Sequence, residues 1–303
     1  LDIDAIINKI KELSSQDPSW NKRGAVVINN PHNATGKIFD YDGIRRLIVY
    51  CLQHNVTIID DLSYQNVVPS DQYLEIKTAR QIAIEQVRQG ILTSAQADQV
   101  ITVHSVSKTD SMAGARLAVA EISDSRLRTQ FEEVNRFIQP NIAAILLSYL
   151  FYRSAGQNVQ AYWLLRNTLL FERSKALLKA LDNLPDERNP FSLSIIPPMG
   201  GLYPLLQIDR LPAGISLNWL SAMLARQGIG LLPLSTFART EEGFITGRKT
   251  FRLTLGGSDN ATTLQIKMRR LLIDLNRLIA EENSRYNRKP LAYRTSSSRN
   301  SRE

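Results

Sequence analysis

Short apolar runs rich in β-branched residues alternate with longer amphipathic segments through the first half of the chain. These runs predict buried strands at 24–29, 55–60, 99–104 and 117–122. Apolar residues at helical spacing predict helices at 4–13, 40–54, 74–91, 125–137 and 141–152. Because the first strands are joined by helical segments of βαβ length, we expect an α/β fold with a mostly parallel sheet and helices on both faces.

The second half of the chain has a different order of elements. A helical stretch at 157–184 is long enough to bridge two domains, and we place the domain boundary inside it, at residue 175. Beyond it the pattern predicts strands at 193–196, 202–208, 228–233 and 250–255 and helices at 216–226 and 261–282. We therefore predict a large domain over 1–175, a smaller α+β domain over 176–283 and a tail over 284–303.

The composition is that of an ordinary globular protein. Hydrophobic residues make up 43% of the 303 residues and charged residues 22%. Cys51 is the only cysteine, so no internal disulfide can form, which fits a reducing compartment, and we expect a cytoplasmic location. The most apolar run, at 142–152, is too short to span a membrane, so we expect no membrane partner.

Most of the net charge of +8 belongs to the segment 284–303, which holds six basic residues and one acidic residue. Its polar, serine-rich composition predicts a disordered tail. A basic tail could contact nucleic acid or an acidic protein. We interpret it as solvated chain and expect no nucleic-acid partner.

One lysine stands just beyond a predicted strand. Ser105, Ser107 and Lys108 follow the strand at 99–104, and Arg116 comes eight residues after the lysine. A desolvated lysine can lose its proton and become a nucleophile towards carbonyl carbon. An arginine fork near serine hydroxyls suits an anionic phosphate. These residues therefore indicate a nucleophilic lysine beside a phosphate site, the alternative being an exposed loop lysine.

The pattern Ser-x-Ser-Lys followed by Gly-x-Arg resembles the cofactor-lysine motif of fold-type I pyridoxal 5′-phosphate (PLP) enzymes, the class I and II aminotransferases. The resemblance implies a PLP-dependent transferase fold of the aspartate aminotransferase type. It also implies that Lys108 binds PLP covalently and that Ser105, Ser107 and Arg116 bind the phosphate. The family loop typically reads Gly-x-Arg-x-Gly, and Ala118 stands in place of its last glycine.

The same family places an acid at the pyridine nitrogen and hydrogen-bond donors at the phenolate oxygen. The segment with Asp61 and Tyr64 resembles the family's Asp-x-x-Tyr at a strand end, which implies that Asp61 meets the ring nitrogen and Tyr64 the phenolate oxygen. Asp60 is the alternative acid, and the three-residue offset to Tyr64 favours Asp61. The loop around Asn33 resembles the family's Asn-Pro-x-Asn-Pro-Thr-Gly, with Ala34 in place of proline, and implies a second phenolate donor.

The resemblance extends to the substrate. Arg252 resembles the family's C-terminal arginine, which implies a bidentate clamp on the α-carboxylate of an amino acid. For a lone arginine in a strand, the alternative is a surface ion pair. The resemblance also implies that Asn33 contacts the substrate.

The four motifs occur in the family's order, but two features depart from the family. The separation between Tyr64 and Lys108 is longer than usual, and we attribute the surplus to an inserted surface element at 74–98. The family's upstream phosphate-binding turn and ring-stacking aromatic residue find no match before Asn33. We therefore expect that the N-terminal part of the family's sequence is missing from this chain, which leaves its cofactor site incomplete.

The resemblance implies a PLP-dependent aminotransferase that moves an amino group between an amino acid and a 2-oxo acid, as a homodimer without a metal ion. PLP-dependent decarboxylases and lyases of the same fold use the same residues and are alternatives. A non-catalytic alternative is an aminotransferase-like sensor domain of a transcription regulator, which the basic tail permits. A homologue that has lost the cofactor is disfavoured because every visible catalytic position is filled. The residues do not identify the amino acid substrate.

Overall fold

The computed structural model describes residues 2–71, 75–137, 139–257 and 259–288. These residues form two compact units, each with its own sheet. Unit 1 comprises the described residues of 2–33, 37–167 and 199–201, and unit 2 those of 34–36, 168–198 and 202–288.

Unit 1 contains a four-stranded sheet and most of the helices. The strands are β1 (Ala25–Asn29), β2 (Thr57–Asp61), β3 (Val100–Ser105) and β4 (Ala118–Ile122). The helices are α1 (Ile3–Gln16), α2 (Trp20–Arg23), α3 (Tyr41–Gln53), α4 (Ala79–Arg88), α5 (Ser94–Ala97), α6 (Val106–Thr109), α7 (Ser125–Asn135) and α8 (Ile142–Ala155). The long helix α9 (Val159–Asp182) begins in unit 1 and ends in unit 2.

The strands of unit 1 lie side by side in sequence order. β1 pairs with β2 and β2 with β3 in parallel, whereas β4 pairs with β3 in the antiparallel direction. The mostly parallel sheet predicted from the sequence is confirmed. The register places Asn29 beside Asp61 and Asp61 beside Val103. The carboxyl ends of β1, β2 and β3 therefore meet at one edge, where ligands of α/β sheets bind.

The core of unit 1 covers one face of this sheet. Ile28, Ile58 and Val100 point to that face, are at most 5% exposed and pack with residues of α1, α3 and α4. Successive strand residues point to opposite faces. The other face carries Val27 beside Ile59, and Val27 is 64% exposed. The helix-covered face therefore contains the apolar cluster, while the opposite face stays partly open at β1.

Helix α4 belongs to this core. Ile82 and Ala83 are 2% and 0% exposed and join the apolar cluster of the sheet. Thr78 caps the helix through a capping box with Gln81. The prediction of a surface element at 74–98 is wrong for α4, because the amphipathic stripe of this helix packs on the sheet. That the segment is an insertion stays a prediction. Leu74, where the predicted helix began, lies outside the described residues.

Unit 2 has the α+β composition that the second half of the sequence predicted. Its strands are β5 (Leu193–Ile196), β6 (Leu205–Ile208), β7 (Leu232–Pro233) and β8 (Thr250–Arg252), and its helices are α10 (Leu217–Ala225), α11 (Glu241–Gly247) and α12 (Ala261–Arg288). The sheet is antiparallel, in the order β5-β6-β8-β7. Leu206, Phe251 and Leu272 are fully buried in its core.

Some boundaries differ from the predictions. Helix α12 continues past the predicted end at 282 to Arg288, into the segment predicted as a tail, because neither glycine nor proline interrupts it before Pro290. Residues 289–303 of that tail lie outside the described residues. Helices α6 and α11 were not predicted, since four and seven residues are too few to show a helical period.

Helix α8 exposes much of its apolar surface. Ile142, Leu146 and Leu147 are 81%, 54% and 53% exposed, while its buried residues are Ala144 and Ser148. Within the described part of the chain, no helix has the length and apolar character needed to cross a membrane. Helix α8 is therefore an apolar surface of unit 1.

Candidate active site

The predicted site residues of unit 1 lie on loops at the carboxyl edge of its sheet, and Asn29 joins two of these loops. Its side-chain amide donates to the backbone oxygen of Asp61 at 3.1 Å, and its Oδ1 accepts from the backbone N–H of Asn33 at 2.7 Å. The Asn33 loop is thus anchored to the end of β2. Asn29 was not predicted as a site residue, although it lies at the end of a predicted strand beside the Asn-Pro turn.

Asn33 and Tyr64 are in direct contact. The Tyr64 hydroxyl donates to Oδ1 of Asn33 at 3.1 Å, across 31 residues of sequence. The Tyr64 side chain is buried, and Asn33 is exposed. Because the Asn33 oxygen already accepts from Tyr64, its NH₂ group is oriented to donate to a further acceptor. The two donors that the sequence analysis assigned to one oxygen atom therefore lie together.

The two adjacent acids at the end of β2 point to opposite faces. Asp60 is 2% exposed, and its Oδ2 accepts from the backbone N–H of Ala79 at 2.6 Å. Burial raises the pKa of Asp60 to about 6; the Ala79 hydrogen bond opposes this shift, and the charge of Asp61 adds to it. Asp61 is half-buried, and its Oδ1 accepts from the N–H and the hydroxyl of Ser63 at 3.0 and 2.5 Å. Asp60 thus lies in the core on the helix-covered face of the sheet, whereas Asp61 lies on the opposite face.

Lys108 lies in α6, a single helical turn directly after β3. Ser105 caps this turn, since its Oγ accepts from the backbone N–H of Ser107 at 3.2 Å. Capping uses a lone pair of the hydroxyl and leaves its proton available to donate. Lys108 is half-buried, and no carboxylate among the described residues forms an ion pair with it. A lysine amine in this position has the group that reacts with a carbonyl carbon.

Arg116 lies just before β4, on the chain segment that pairs with the end of β3. The register places Ala118 opposite Ser105, which brings the Arg116 backbone near the start of α6. The residue has a left-handed backbone with φ of 52°, and its Nη1 donates to the backbone oxygen of Ala113 at 3.4 Å. Its side chain is exposed, and no hydrogen bond joins it to Ser105 or Ser107. The three predicted phosphate ligands are neighbours in the fold; Ser105 and Ser107 are hydrogen-bonded to each other, and the Arg116 side chain is bonded to neither.

Arg252 lies in β8, inside the sheet of unit 2. The register aligns it with Leu205 on β6 and Leu232 on β7. Its guanidinium carbon lies 4.1 Å from the ring centroid of Tyr203 and 4.1 Å from that of Phe237. Such contacts use the flat face of the guanidinium and leave its N–H edge to donate.

Arg252 also lines a cavity of about 1070 Å³ within unit 2. Two other cations line it: Lys267, which pairs with Asp259 at 2.9 Å, and Arg270, which lies 3.8 Å from Asp274. Of these three cations, Arg252 has no carboxylate partner within the described ranges. Within the described residues, Arg252 therefore does not form the surface ion pair that was the alternative to a carboxylate clamp.

The groups at the sheet edge of unit 1 fit the needs of PLP. That cofactor requires an amine for its carbonyl carbon, an acid for its ring nitrogen and donors for its phenolate oxygen. Lys108 is the amine, and Asp61 has a carboxylate oxygen beyond the one that Ser63 occupies. The Asn33 NH₂ group can donate as it stands, whereas the Tyr64 hydroxyl, which donates to Asn33, would have to turn from Asn33 to donate to the phenolate oxygen. In the described ranges, no group of three or more His, Cys, Asp or Glu side chains could hold a metal ion.

Comparison with known proteins agrees with this chemistry. The family profile described as aminotransferase class I and II matches residues 1–266. A probable kynurenine–oxoglutarate transaminase of Saccharomyces cerevisiae is 40% identical over 58 residues, which are 19% of this chain and 13% of the yeast protein.

Solved structures share the fold. A kynurenine aminotransferase from Pyrococcus horikoshii superposes with a TM-score of 0.67 at 18% identity, over 93% of this chain and 61% of that chain. A PLP-bound putative aminotransferase from Clostridium difficile gives a TM-score of 0.64 at 18% identity, over 91% of this chain and 61% of that chain. The fold predicted from the motifs is confirmed, and this chain spans 61% of the length of either structure.

Proposed function

Because the chain belongs to the class I and II aminotransferase family, we propose that the protein is a PLP-dependent aminotransferase that moves an amino group between an amino acid and a 2-oxo acid. The observation that carries the proposal is the set of groups at the carboxyl edge of the unit 1 sheet. The paired Asn33 and Tyr64, the Asp61 carboxylate and the Lys108 amine all follow the ends of adjacent strands.

These residues divide the tasks of holding the cofactor. Lys108 would hold its carbonyl carbon, and Asp61 its ring nitrogen. Asn33 and Tyr64 would donate to its phenolate oxygen. The phosphate would be held by the hydroxyls of Ser105 and Ser107 and by the guanidinium of Arg116. When bound, PLP supplies an electron-withdrawing ring that stabilises negative charge at the substrate Cα.

The other roles in the proposed reaction belong to side chains of the protein. The Lys108 amine would be the base that takes a proton from the substrate Cα and later gives a proton back. The Asp61 carboxylate would lie at the ring nitrogen, where its negative charge would favour the protonated form of the ring. Arg252 would hold the α-carboxylate of the substrate through two parallel N–H bonds, and Asn33 would border the substrate.

We further propose a homodimer in the cytoplasm. The exposed apolar side chains of α8, with Ile142 81% exposed, favour an additional contact surface on unit 1. The single cysteine, Cys51, is free and fully buried, which fits a reducing compartment.

Reductive trapping tests the cofactor assignment. The full chain is mixed with PLP and reduced with borohydride, and its peptides are mapped by mass spectrometry. We expect the label on Lys108, and we expect Lys108→Arg to remove it. A label on Lys37 or Lys175 instead of Lys108 would show that the assignment is wrong.

Product analysis tests the reaction. The PLP-loaded protein is incubated with single amino acids, and the products are quantified. Kynurenine is among them because two of the related proteins are named for it. Transamination releases a 2-oxo acid with its carboxylate intact. Release of carbon dioxide or of an eliminated side-chain group would replace this proposal with a decarboxylase or a lyase.

A further inference from the structure

The backbone directly after Lys108 is held by side chains from two helices. Asp110 is 3% exposed. Its Oδ2 accepts from the Tyr152 hydroxyl of α8 at 2.6 Å, and its Oδ1 accepts from the Trp163 indole N–H of α9 at 3.1 Å. Both carboxylate oxygens are therefore bonded to neutral donors on different helices, which fixes the orientation of the group.

A guanidinium holds the same backbone from a second direction. Arg166 of α9 donates to the backbone oxygen of Thr109 and to that of Asn66, which follows the Tyr64 loop. Burial lowers the pKa of Arg166 to about 10, and the nearby Tyr162 and Asp110 oppose this shift, so the guanidinium stays protonated at neutral pH. One cation thus ties the loop after β2 to the turn that carries the lysine.

Thr109 completes the attachment. Its hydroxyl donates to the backbone oxygens of Gln65 at 3.2 Å and Leu62 at 3.5 Å. The two residues after Lys108 are therefore bonded to the β2 loop, to α8 and to α9. Lys108 itself takes no part in these bonds.

The short length of α6 explains why such ties matter. A four-residue turn closes few internal hydrogen bonds, and an isolated turn of this length is unstable. The amides of Asp110 and Met112 donate to the Val106 oxygen at 3.2 and 3.1 Å. The amide of Ser111 donates to the Lys108 oxygen at 3.4 Å, and the amide of Val106 donates to the Leu117 oxygen at 3.4 Å. Bonds within so short a turn fix its backbone only in part, so the position of the amine also depends on the side chains that bind Thr109 and Asp110.

We propose that Asp110 and Arg166 are positioning residues for the Lys108 amine, acting through the backbone of residues 109 and 110. The proposal rests on the proposed function, in which Lys108 holds the cofactor. It assigns Tyr152 and Trp163 as the donors that keep Asp110 in place.

The test compares Asp110→Asn and Tyr152→Phe with a control of similar kind. Asp110→Asn keeps the side-chain size but leaves one oxygen to serve two donors, and Tyr152→Phe removes one donor. The control is Asp124→Ala, which removes the carboxylate that caps α7 by accepting from the Leu127 N–H at 2.8 Å. All variants are made in the full chain, and their thermal unfolding is recorded first.

Two readouts follow. Borohydride trapping at fixed, subsaturating PLP should label Lys108 about tenfold less in both test variants than in the unsubstituted chain. Without PLP, hydrogen exchange at the amides of Asp110 and Met112 should quicken in the test variants. Asp124→Ala should change neither readout. The double variant Asp110→Asn/Tyr152→Phe should carry as much label on Lys108 as Asp110→Asn alone, because both substitutions disrupt the same hydrogen bond between Tyr152 and Asp110.

The outcomes separate the two proposals. If both test variants trap PLP as the unsubstituted chain does, the positioning role is overturned and the assignment of Lys108 stands. If the unsubstituted chain carries no label on Lys108, the proposed function fails and the positioning role fails with it. If Asp124→Ala loses as much label as Asp110→Asn at equal loss of stability, Asp110 serves only the fold.

Discussion

At the scale of single residues, alternation along β2 separates two neighbouring carboxylates. Asp60 faces the helices and Asp61 faces the other side. The pKa of Asp60 is raised from 3.8 to about 6, so between these values the folded chain binds its proton more tightly than the unfolded chain does. Stability from this group is therefore present at low pH and is lost as pH rises through that window.

We predict that Asp60→Asn removes this loss. Asparagine keeps an oxygen for the Ala79 N–H but carries no charge to bury. The free energy of unfolding of the variant minus that of the original chain should increase by roughly 1–3 kcal/mol from about pH 4 to pH 7. Denaturant titrations at both pH values measure it, with Asp42→Asn, at an exposed carboxylate of α3, as the control. Parallel pH profiles for Asp60→Asn and the original chain would contradict the burial of an ionised Asp60.

The contacts of Arg252 lead to a second prediction. Lysine at this position keeps the charge but loses the planar fork. We expect Arg252→Lys to lower kcat/KM for the amino acid by about two orders of magnitude, with trapping of PLP on Lys108 unchanged. Arg270→Lys, in the wall of the same cavity, is the matched control. A normal kcat/KM, or loss of trapping, would show that Arg252 is not the carboxylate clamp.

The site residues that could be predicted from the sequence are those that belong to a local motif. The Asn-Pro loop and the Asp-x-x-Tyr segment marked Asn33 and Tyr64, and the structure brings these two together. The partners of Asp110 were not open to prediction, because Tyr152 and Trp163 lie 42 and 53 residues along the chain. No local sequence pattern predicts a hydrogen bond that depends on how α8 and α9 pack.

At the scale of elements, the long periodic segments were predicted well and their surroundings less so. An amphipathic stripe identifies a helix, but it does not tell which surface the stripe meets. Helix α4 shows this, since its stripe packs on the sheet although its segment was expected to be a surface element. The short turn α6 carries the lysine and has no period to detect.

Two isoleucines of α4 test its place in the core. Ile82 is 2% exposed, and Ile84 on the same helix is 36% exposed. We expect Ile82→Ala to lower the free energy of unfolding by about 2–5 kcal/mol through lost contacts and a cavity. Ile84→Ala should change it by less than about 1 kcal/mol. Equal losses in a denaturant titration would mean that α4 does not pack as described.

At the scale of the whole molecule, the sequence predicted two regions of different class, and the structure has two units with a mixed sheet and an antiparallel sheet. The position of the division was harder to predict. It was placed at residue 175, and the compact units divide between Asn167 and Thr168. Both positions lie inside the unbroken helix α9, where no turn residue marks a boundary.

The apolar surface of α8 leads to a prediction about assembly. Leu146 and Leu147 are more than half exposed, and a charge there should weaken contact with a second copy of the chain. We expect Leu146→Asp/Leu147→Asp to shift the mass from light scattering towards that of one chain. Gln130→Glu on α7 adds charge at an exposed polar position and should leave the mass unchanged. A mass insensitive to the α8 changes would place the contact surface elsewhere.

The alternation of Asp60 and Asp61 also limits how the gene can change. Deletion or insertion of one codon within β2 would shift every later strand residue to the other face. The acid that the core holds beside Ala79 and the acid on the open face would then exchange places in a single event. Length changes in this strand should therefore be tolerated only in compensating pairs.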